Sequence, residues 1–291
     1  METRQEEKED SAAQASIESA LIRNLRGFLR SEDYFLPRSI FFLFLFIMGG
    51  MKRPHMSINI KSRISVVLVR PEHPENIGLV ARNMKNTGFF HLRLVGVDGL
   101  DERTYKTAIH SHDILKAARI CTRLGEATAD FSVVFAATAK RRKNFSVLSL
   151  GDAVEKMCRY PESTKVGLLF GNERTGLTTE ELKHSNFRFV LPQSSKQPSY
   201  NLASAVLLSL YAISTRAPDK CWTTGQQRPL PRKKQVECIE IILRKLEESG
   251  FLHQTNKQHI TEMIYDIFGR LSMTERDRRL LLALFSKGMN Q

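Results

Sequence analysis

The sequence predicts an α/β fold in which a mainly parallel sheet is flanked by helices and followed by a small helical extension. Short apolar, β-branched runs such as residues 64–69 and 166–170 are typical of strands that are buried on both faces. Segments with helical spacing separate these runs, and the alternation of strands and helices favours a parallel sheet. After residue 216 the strand pattern stops and only helical patterns remain.

The elements follow in order along the chain. We expect strands at residues 64–69, 92–97, 131–136, 166–170 and 187–191. We expect helices at residues 76–87, 104–120, 149–158, 178–184 and 201–214, and in the extension at 235–250, 257–271 and from 274 onward. Gly88 ends the first helix and Thr178 is a typical N-cap.

The predicted domain organisation has four parts. Residues 57–216 form the α/β domain, residues 217–234 a proline-containing basic linker, and residues 235–291 the helical extension. Residues 1–56 are an N-terminal extension, either disordered or an over-long reading of the gene, because Met51 and Met56 stand just before the first strand.

The N-terminal extension contains an apolar run at residues 39–48. A membrane-spanning helix needs about twenty apolar residues, and a signal peptide carries its apolar run closer to the start. We therefore expect a cytoplasmic protein with no stable membrane association, and membrane anchoring through this run is the alternative.

The positive charge lies on the segments that are predicted to fold. The net charge is +13, yet residues 1–56 carry eight basic and eight acidic side chains. Residues 57–215 carry 22 against 14, and residues 216–291 carry 14 against 9. A basic folded surface favours a polyanion such as RNA as the partner, and charge that serves only solubility is the alternative.

The cysteines and histidines do not form a metal-ligand pattern. The four cysteines include no CxxC pair, which indicates idle thiols in a reducing compartment. His110, His112 and Asp113 are close in sequence, but no second cluster would complete a coordination shell. The sequence therefore predicts no metal site.

Three segments carry more Gly, Asn, Arg and Ser at strand ends than folding requires, and ligands of parallel sheets bind at those ends. In residues 74–86, Asn76 is expected to cap a helix, Gly78 to permit close backbone approach, and Arg82 with Lys85 to attract a phosphate. Residues 169–177 and 191–206 each combine a strand end with a polar loop. Taken singly, each segment also fits an ordinary capped helix or turn.

Taken together, the three segments resemble the SPOUT class of RNA methyltransferases, in its TrmH/SpoU superfamily and closest to the TrmJ-type branch. The matching stretches are NIGLVARNMKNTGF (residues 76–89), LLFGNERTGLTTEEL (168–182) and PSYNLASAV (198–206). The resemblance runs from about residue 62 to 215, and residues 235–286 resemble the helical extension of that branch. Residues 1–56 lie outside it.

The resemblance implies a deep trefoil knot, S-adenosylmethionine as methyl donor, a homodimer and no metal. The donor pocket that it implies contains Ala137, Thr138, Ala139, Gly171, Leu191, Pro198, Ser199, Tyr200 and Asn201. Asn172 and Tyr200 depart from the residues common in the family, which leaves the base preference and substrate range open.

The implied reaction is methyl transfer to a ribose 2′-hydroxyl of RNA, with a pyrimidine at position 32 of the tRNA anticodon loop as the usual target. Arg82 would be catalytic, with Asn76 positioning it and Ser199 orienting ribose or donor. RNA contacts are expected from Lys85, Lys140, Arg141, Arg142 and Lys143. The linker run Arg232, Lys233 and Lys234 is a further candidate for phosphate contact, with solvated surface charge as its alternative. The alternatives are a ribosomal RNA methyltransferase and a non-catalytic RNA-binding protein of the same fold.

Overall fold

The computed structural model describes residues 60–139, 146–194, 199–216 and 228–287 of the 291 residues. The apolar run at residues 39–48 lies outside these ranges. Within the described part of the chain, no helix has the length and apolarity that crossing a membrane requires.

The described residues form a seven-stranded sheet in which each paired strand runs parallel to its neighbour. The strands are β1 (Ile64–Val69), β2 (His91–Val95), β3 (Arg119–Cys121), β4 (Val133–Ala137), β5 (Val147–Ser149), β6 (Val166–Phe170) and β7 (Phe187–Val190). Their order across the sheet is β3-β2-β1-β6-β4-β7-β5. The predicted parallel α/β architecture is confirmed, while the trefoil knot stays a prediction.

Helices connect the strands and form the C-terminal extension. They are α1 (Pro74–Thr87), α2 (Glu102–Thr107), α3 (His112–Lys116), α4 (Leu124–Thr128), α5 (Leu150–Cys158), α6 (Thr179–Leu182), α7 (Leu202–Arg216), α8 (Arg232–Glu248), α9 (Lys257–Arg270) and α10 (Glu275–Lys287). A short 3₁₀ turn, Ile60–Arg63, leads into β1.

The inner strand β1 shows that the sheet is covered on both faces. All six of its residues are buried, and their side chains alternate between two cores. Val66 and Leu68 belong to the larger core, which includes buried residues of α1, α5 and α7. Val67 and Val69 belong to the smaller core with residues of α4 and α6. A short run rich in apolar, β-branched residues is therefore what this position requires.

The prediction was wrong for the region between β2 and β4. One helix was expected over residues 104–120, but α2 and α3 are separate and are followed by strand β3. His110 adopts a positive φ of 58°, which ends any continuous helix there. Strands β3 and β5 have three residues each and are too short to produce a period in the sequence.

The start of α1 also differs from the prediction. The N-cap is His73 and Pro74 occupies the first helical position, so Asn76 lies inside the first turn and does not cap the helix. Gly88, in the left-handed conformation with φ 79°, ends α1 as expected. Gly78 permits close approach as predicted: a Cβ there would lie 2.1 Å from Thr107 Oγ1 and 2.2 Å from the carbonyl oxygen of Thr104.

The first helix of the C-terminal extension begins earlier than predicted, while the other two begin within one residue of the predicted positions. Helix α8 starts at Arg232, so the basic run at residues 232–234 forms its first turn and is not part of a linker. Residues 217–227 lie outside the described ranges. Helices α8 and α10 enclose a small core with Leu230, Cys238, Ile242 and Met273 as its buried members.

Candidate active site

A cavity of about 340 Å³ lies beyond the carboxyl ends of three neighbouring strands. Its walls come from the end of β4 and the residues after it, from the loop after β6, and from the segment that leads from β7 into α7. Parallel sheets bind ligands at this edge. A volume in the range of about 300–1,000 Å³ is typical of small-molecule sites.

Most of the residues that were predicted to bind the donor line this cavity. They are Ala137, Thr138, Ala139, Gly171, Leu191, Ser199 and Tyr200. Pro198 lies outside the described residues. The lining also includes Phe170, Leu177 and Leu202, which are buried apolar side chains, and Gln193, which the sequence analysis did not single out.

A chain of side-chain hydrogen bonds joins the three sequence motifs beside the cavity. Asn201 Nδ2 donates to Asn76 Oδ1 at 3.0 Å, and Asn76 Nδ2 donates to Glu173 Oε1 at 2.8 Å. Asn201 Oδ1 in turn accepts from the backbone N–H of Ala203 at 2.9 Å at the start of α7. The three predicted segments are thus in direct contact, with Asn76 as the central link.

Among the residues joined by these hydrogen bonds, Glu173 is the one that was not predicted from the sequence. Its carboxylate accepts from the backbone N–H groups of Glu72 at 2.8 Å and His73 at 3.4 Å, as well as from Asn76. Partial burial alone would raise the pKa of this carboxyl, but the donors from Asn76 and the two backbone N–H groups outweigh it and lower the pKa. Glu173 therefore stays ionised at neutral pH and fixes the loop after β6 to the start of α1.

The loop after β6 is closed by backbone contacts at its base. Asn172 and Gly176 form an antiparallel bridge, and the Gly176 N–H donates to the Asn172 carbonyl oxygen at 2.8 Å. A Cβ on Gly171 would lie 2.3 Å from the Gly176 carbonyl carbon and 2.4 Å from the Leu177 nitrogen. Gly171 is therefore required by the fold of the loop itself. A side chain at this position would clash with the backbone of Gly176 and Leu177.

The wall formed by Leu191, Gln193, Ser199 and Tyr200 is held by two further side-chain hydrogen bonds. Tyr200 donates its hydroxyl to the Pro192 carbonyl oxygen at 2.6 Å, and Gln193 Nε2 donates to the Ala139 carbonyl oxygen at 3.3 Å. These bonds connect the residues on either side of positions 195–198 and join them to the segment after β4. The phenol of Tyr200 is 39% exposed, which leaves part of its ring on the cavity side.

Arg82 lies on an exposed position of α1 and does not line the cavity. Its guanidinium makes no hydrogen bond or ion pair with any described residue. The next residue, Asn83, donates through Nδ2 to the Ala203 carbonyl oxygen at 2.9 Å, so this part of α1 is attached to α7. Arg82 is thus a solvated cation on a helix that the motif contacts hold in place.

The predicted RNA-binding residues fall into separate groups. Lys140, Arg141, Arg142 and Lys143 lie outside the described residues. Lys85 is exposed and pairs with Asp113 at 2.8 Å. The first turn of α8 was also a candidate phosphate contact, and here the prediction was wrong for Arg232. Its side chain is 1% exposed and donates to the carbonyl oxygens of Lys183 and Ser185.

The described histidines and acidic residues form no group of three that would suit a metal ion. His112 Nε2 lies 2.9 Å from the carbonyl oxygen of Tyr105, which occupies one of its ring nitrogens. The site as described therefore consists of a partly apolar cavity, a hydrogen-bonded asparagine–glutamate chain and a nearby helix with an exposed arginine.

Comparisons with known proteins agree on one family. The model of the SpoU rRNA Methylase family matches residues 63–211. A tRNA (cytidine/uridine/adenosine-2′-O-)-methyltransferase TrmJ from Pseudomonas aeruginosa is 30% identical over 77% of this chain and 93% of its own. A tRNA (cytidine-2′-O-)-methyltransferase TrmJ from Methanocaldococcus jannaschii is 30% identical over 72% and 90%. The crystal structure of TrmJ from Z. mobilis is similar with a TM-score of 0.67 at 28% identity, covering 76% of this chain and 97% of that one.

Proposed function

The chain belongs to the SpoU rRNA methylase family, and from that premise we propose that it transfers a methyl group from S-adenosylmethionine to a ribose 2′-hydroxyl of tRNA. The observation that carries this proposal is the hydrogen-bonded chain from Glu173 through Asn76 to Asn201, which brings the three motifs together beside the cavity. A pyrimidine at position 32 of the anticodon loop is the proposed target.

The residues present fit S-adenosylmethionine. The cavity combines apolar walls from Phe170, Leu177 and Leu191 with polar atoms along the loops after β4 and β6. An adenosine with a methionine tail needs this mixture of apolar surface for the base and hydrogen-bonding groups for ribose and amino acid. The proposed donor-binding residues are those named in the sequence analysis: Ala137, Thr138, Ala139, Gly171, Leu191, Pro198, Ser199, Tyr200 and Asn201.

When bound, the donor supplies an electrophilic methyl group on a sulfonium. The chain must then hold the ribose hydroxyl and manage the charge that develops as its proton leaves. A guanidinium is a poor base because it stays protonated in water, so Arg82 stabilises the developing alkoxide, and an adjacent RNA phosphate accepts the proton. Asn76 fixes the start of α1, and Ser199, exposed on the cavity wall, orients the ribose or the donor.

Two observations favour tRNA over ribosomal RNA as substrate. Two relatives that carry tRNA methyltransferase names match over at least 90% of their own length. The TrmJ structure from Z. mobilis covers 76% of this chain, so the similarity to TrmJ extends beyond residues 63–211, which are all that the family model matches. The family description names rRNA, so ribosomal RNA is the second candidate. A tRNA-modifying role fits the proposed cytoplasmic location.

The proposed enzyme is a homodimer that uses an apolar surface on α1 and α7. The exposed side chains of this surface are Leu79, Leu207, Leu208 and Tyr211, with Tyr211 61% exposed. Exposed apolar surface on neighbouring helices is typical of association sites. We expect Tyr211→Glu to shift the protein from dimer to monomer in light scattering, while Tyr105→Phe, at a half-buried position of α2, should leave the dimer intact.

The test of the proposed activity uses purified full-length protein, labelled S-adenosylmethionine and unmodified tRNA and ribosomal RNA transcripts. We expect label on a tRNA ribose, located at position 32 by mass spectrometry. Arg82→Ala should lower kcat by about 100-fold, the usual cost of removing one group that stabilises a developing oxyanion. Arg123→Ala is the control, because Arg123 is also exposed but lies before α4, away from the cavity.

The outcomes separate the candidates. Label on ribosomal RNA alone would assign the second candidate. RNA binding without donor binding or transfer would make the chain a non-catalytic RNA-binding protein. Full turnover in Arg82→Ala would refute the role of Arg82 and leave the activity standing.

A further inference from the structure

Arg70, the residue that follows β1, has an unusual backbone conformation. Its φ is 51°, in the left-handed region that non-glycine residues seldom occupy, and its only non-glycine companion among the described residues is His110. Such a conformation persists where surrounding contacts hold it. Two such contacts are the Arg70 N–H, which donates to the Val95 carbonyl oxygen at 2.8 Å, and the Arg70 carbonyl oxygen, which accepts from Asn172 Nδ2 at 3.0 Å.

The side chain of Arg70 reaches the far end of the loop after β6. Nε donates to Glu181 Oε1 at 2.7 Å and Nη2 donates to Glu181 Oε2 at 2.9 Å, which is a two-pronged pair. Nη2 also donates to the Gly176 carbonyl oxygen at 3.4 Å. The Glu181 side chain is 15% exposed and that of Arg70 is 41% exposed, so the pair is partly shielded from water.

Glu181 is itself part of the structure that ends this loop. Its carboxylate accepts from the Thr178 N–H at 2.7 Å, and its own N–H donates to the Thr178 hydroxyl, which together form a capping box at the start of α6. Arg70 therefore contacts the loop at Asn172, Gly176 and Glu181, and residues 171–177 between these points line the cavity.

We propose that Arg70 is a positioning residue that, through Glu181 and Gly176, sets the place of the methyl-donor loop at residues 171–177. This inference rests on the proposed function of the cavity. Arg70 does not line the cavity, so it acts through the loop and not by touching the donor. The arrangement makes donor affinity depend on the residue that follows the first strand, which no cavity contact would identify.

The test compares Arg70→Asn and Arg70→Lys in the full-length protein. Asparagine tolerates the left-handed conformation, so it removes the guanidinium and keeps the backbone. Lysine keeps the charge but cannot make the two-pronged pair. The control is Arg119→Asn, because Arg119 forms an exposed pair with Glu126 at 2.9 Å and does not line the cavity.

The measurements are the dissociation constant of S-adenosylhomocysteine by calorimetry and the KM values for donor and tRNA. We expect Arg70→Asn to raise the donor constants about tenfold, the effect of losing one charge-assisted pair, with the KM for tRNA unchanged. Arg70→Lys should restore part of the affinity, and Glu181→Gln combined with Arg70→Asn should cost less than the two single effects together. The control should keep the wild-type donor constants.

Two results would overturn the role of Arg70. One is wild-type donor affinity in Arg70→Asn, and the other is an equal rise in the KM values for donor and tRNA, which would indicate a general loss of structure. A wild-type protein that does not bind S-adenosylhomocysteine would instead refute the donor site and the role of Arg70 with it.

Discussion

The region around the cavity and the junction with the C-terminal helices use the same residue types in opposite ways. In the first region, Arg82 of α1 is exposed, and the Glu173 carboxylate on the cavity wall accepts hydrogen bonds from backbone N–H groups and from an asparagine. At the junction, Arg188 of β7 is 1% exposed and donates to Asp266 of α9 at 2.8 Å. One arginine is exposed to solvent, and the other is buried in an ion pair that holds two parts of the chain together.

The junction is a connected polar network. Arg232 of α8 donates to the carbonyl oxygens of Lys183 and Ser185, while Asn186 donates to Gln235 at 2.9 Å and to the Gly269 carbonyl oxygen at 2.8 Å. Burial lowers the pKa of Arg188 to about 10 and that of Arg232 to about 9. Buried polar groups are costly unless they are paired, so this network specifies one placement of the helices against the sheet.

The largest effect is expected at the junction. Asp266→Ala would leave Arg188 buried without its carboxylate and would also remove acceptors of Ser146 and Arg270. We expect the free energy of unfolding to fall by about 3–5 kcal/mol, as for other buried pairs broken on one side. Urea denaturation followed by circular dichroism measures it. Asp98→Ala is the exposed control, and a loss below about 1 kcal/mol would show that the pair is not essential.

A smaller effect is expected at the cavity, and it should appear in ligand affinity. Gly171→Ala places a Cβ against the backbone of Gly176 and Leu177, so the loop must shift. We expect about 1–3 kcal/mol of strain, which corresponds to a loss of about 10- to 100-fold in affinity for S-adenosylhomocysteine if the loop moves to relieve it. Calorimetry measures the affinity, and Gly99→Ala is the control, because a Cβ at Gly99 meets nothing within 4 Å. Unchanged affinity would mean that the loop position does not determine donor binding.

The cavity edge and the junction also differ in how far the sequence could predict them. The cavity edge was predictable because its polar residues stand at strand ends in three separate motifs, and seven of the predicted donor residues do line one cavity. The junction was not predictable. Arg232 opens a run of three basic residues that resembles a solvated patch, and only the packing of α8 against Lys183 and Ser185 reveals that it is buried.

Within the site, the missing information was also tertiary. Asn76 was interpreted as a helix cap because its type and place suit one, but Pro74 begins the helix two residues earlier and releases the Asn76 side chain for Glu173 and Asn201. No spacing in the sequence relates Glu173 to the backbone of Glu72, and none relates Arg70 to Glu181, because these partners are more than 100 residues apart.

The smallest effect is expected at a partly exposed ion pair. Its exposure to solvent lies between that of Arg82 and that of the buried Arg188. Asp130 accepts from Arg93 and from Lys165 at 3.1 Å and is 38% exposed. The hydrogen bond from Arg93, followed by that from Lys165, lowers the pKa of Asp130 against the opposing effect of burial. A carboxyl whose pKa is lower in the folded state stabilises the fold above its unfolded pKa, and this contribution is lost as the pH falls toward the folded pKa.

We therefore expect Asp130→Asn to lower the free energy of unfolding by less than about 1 kcal/mol at pH 7, because solvent screens the half-exposed pair. The difference from wild type should shrink as the pH is lowered below about 4, where the unfolded carboxyl becomes protonated. Denaturation curves at pH 7 and pH 3 measure both values. If Asp130→Asn lowers the free energy of unfolding as much as Asp266→Ala, burial does not determine which ion pair contributes more to stability. The contrast between cavity and junction would then have a cause other than exposure to water.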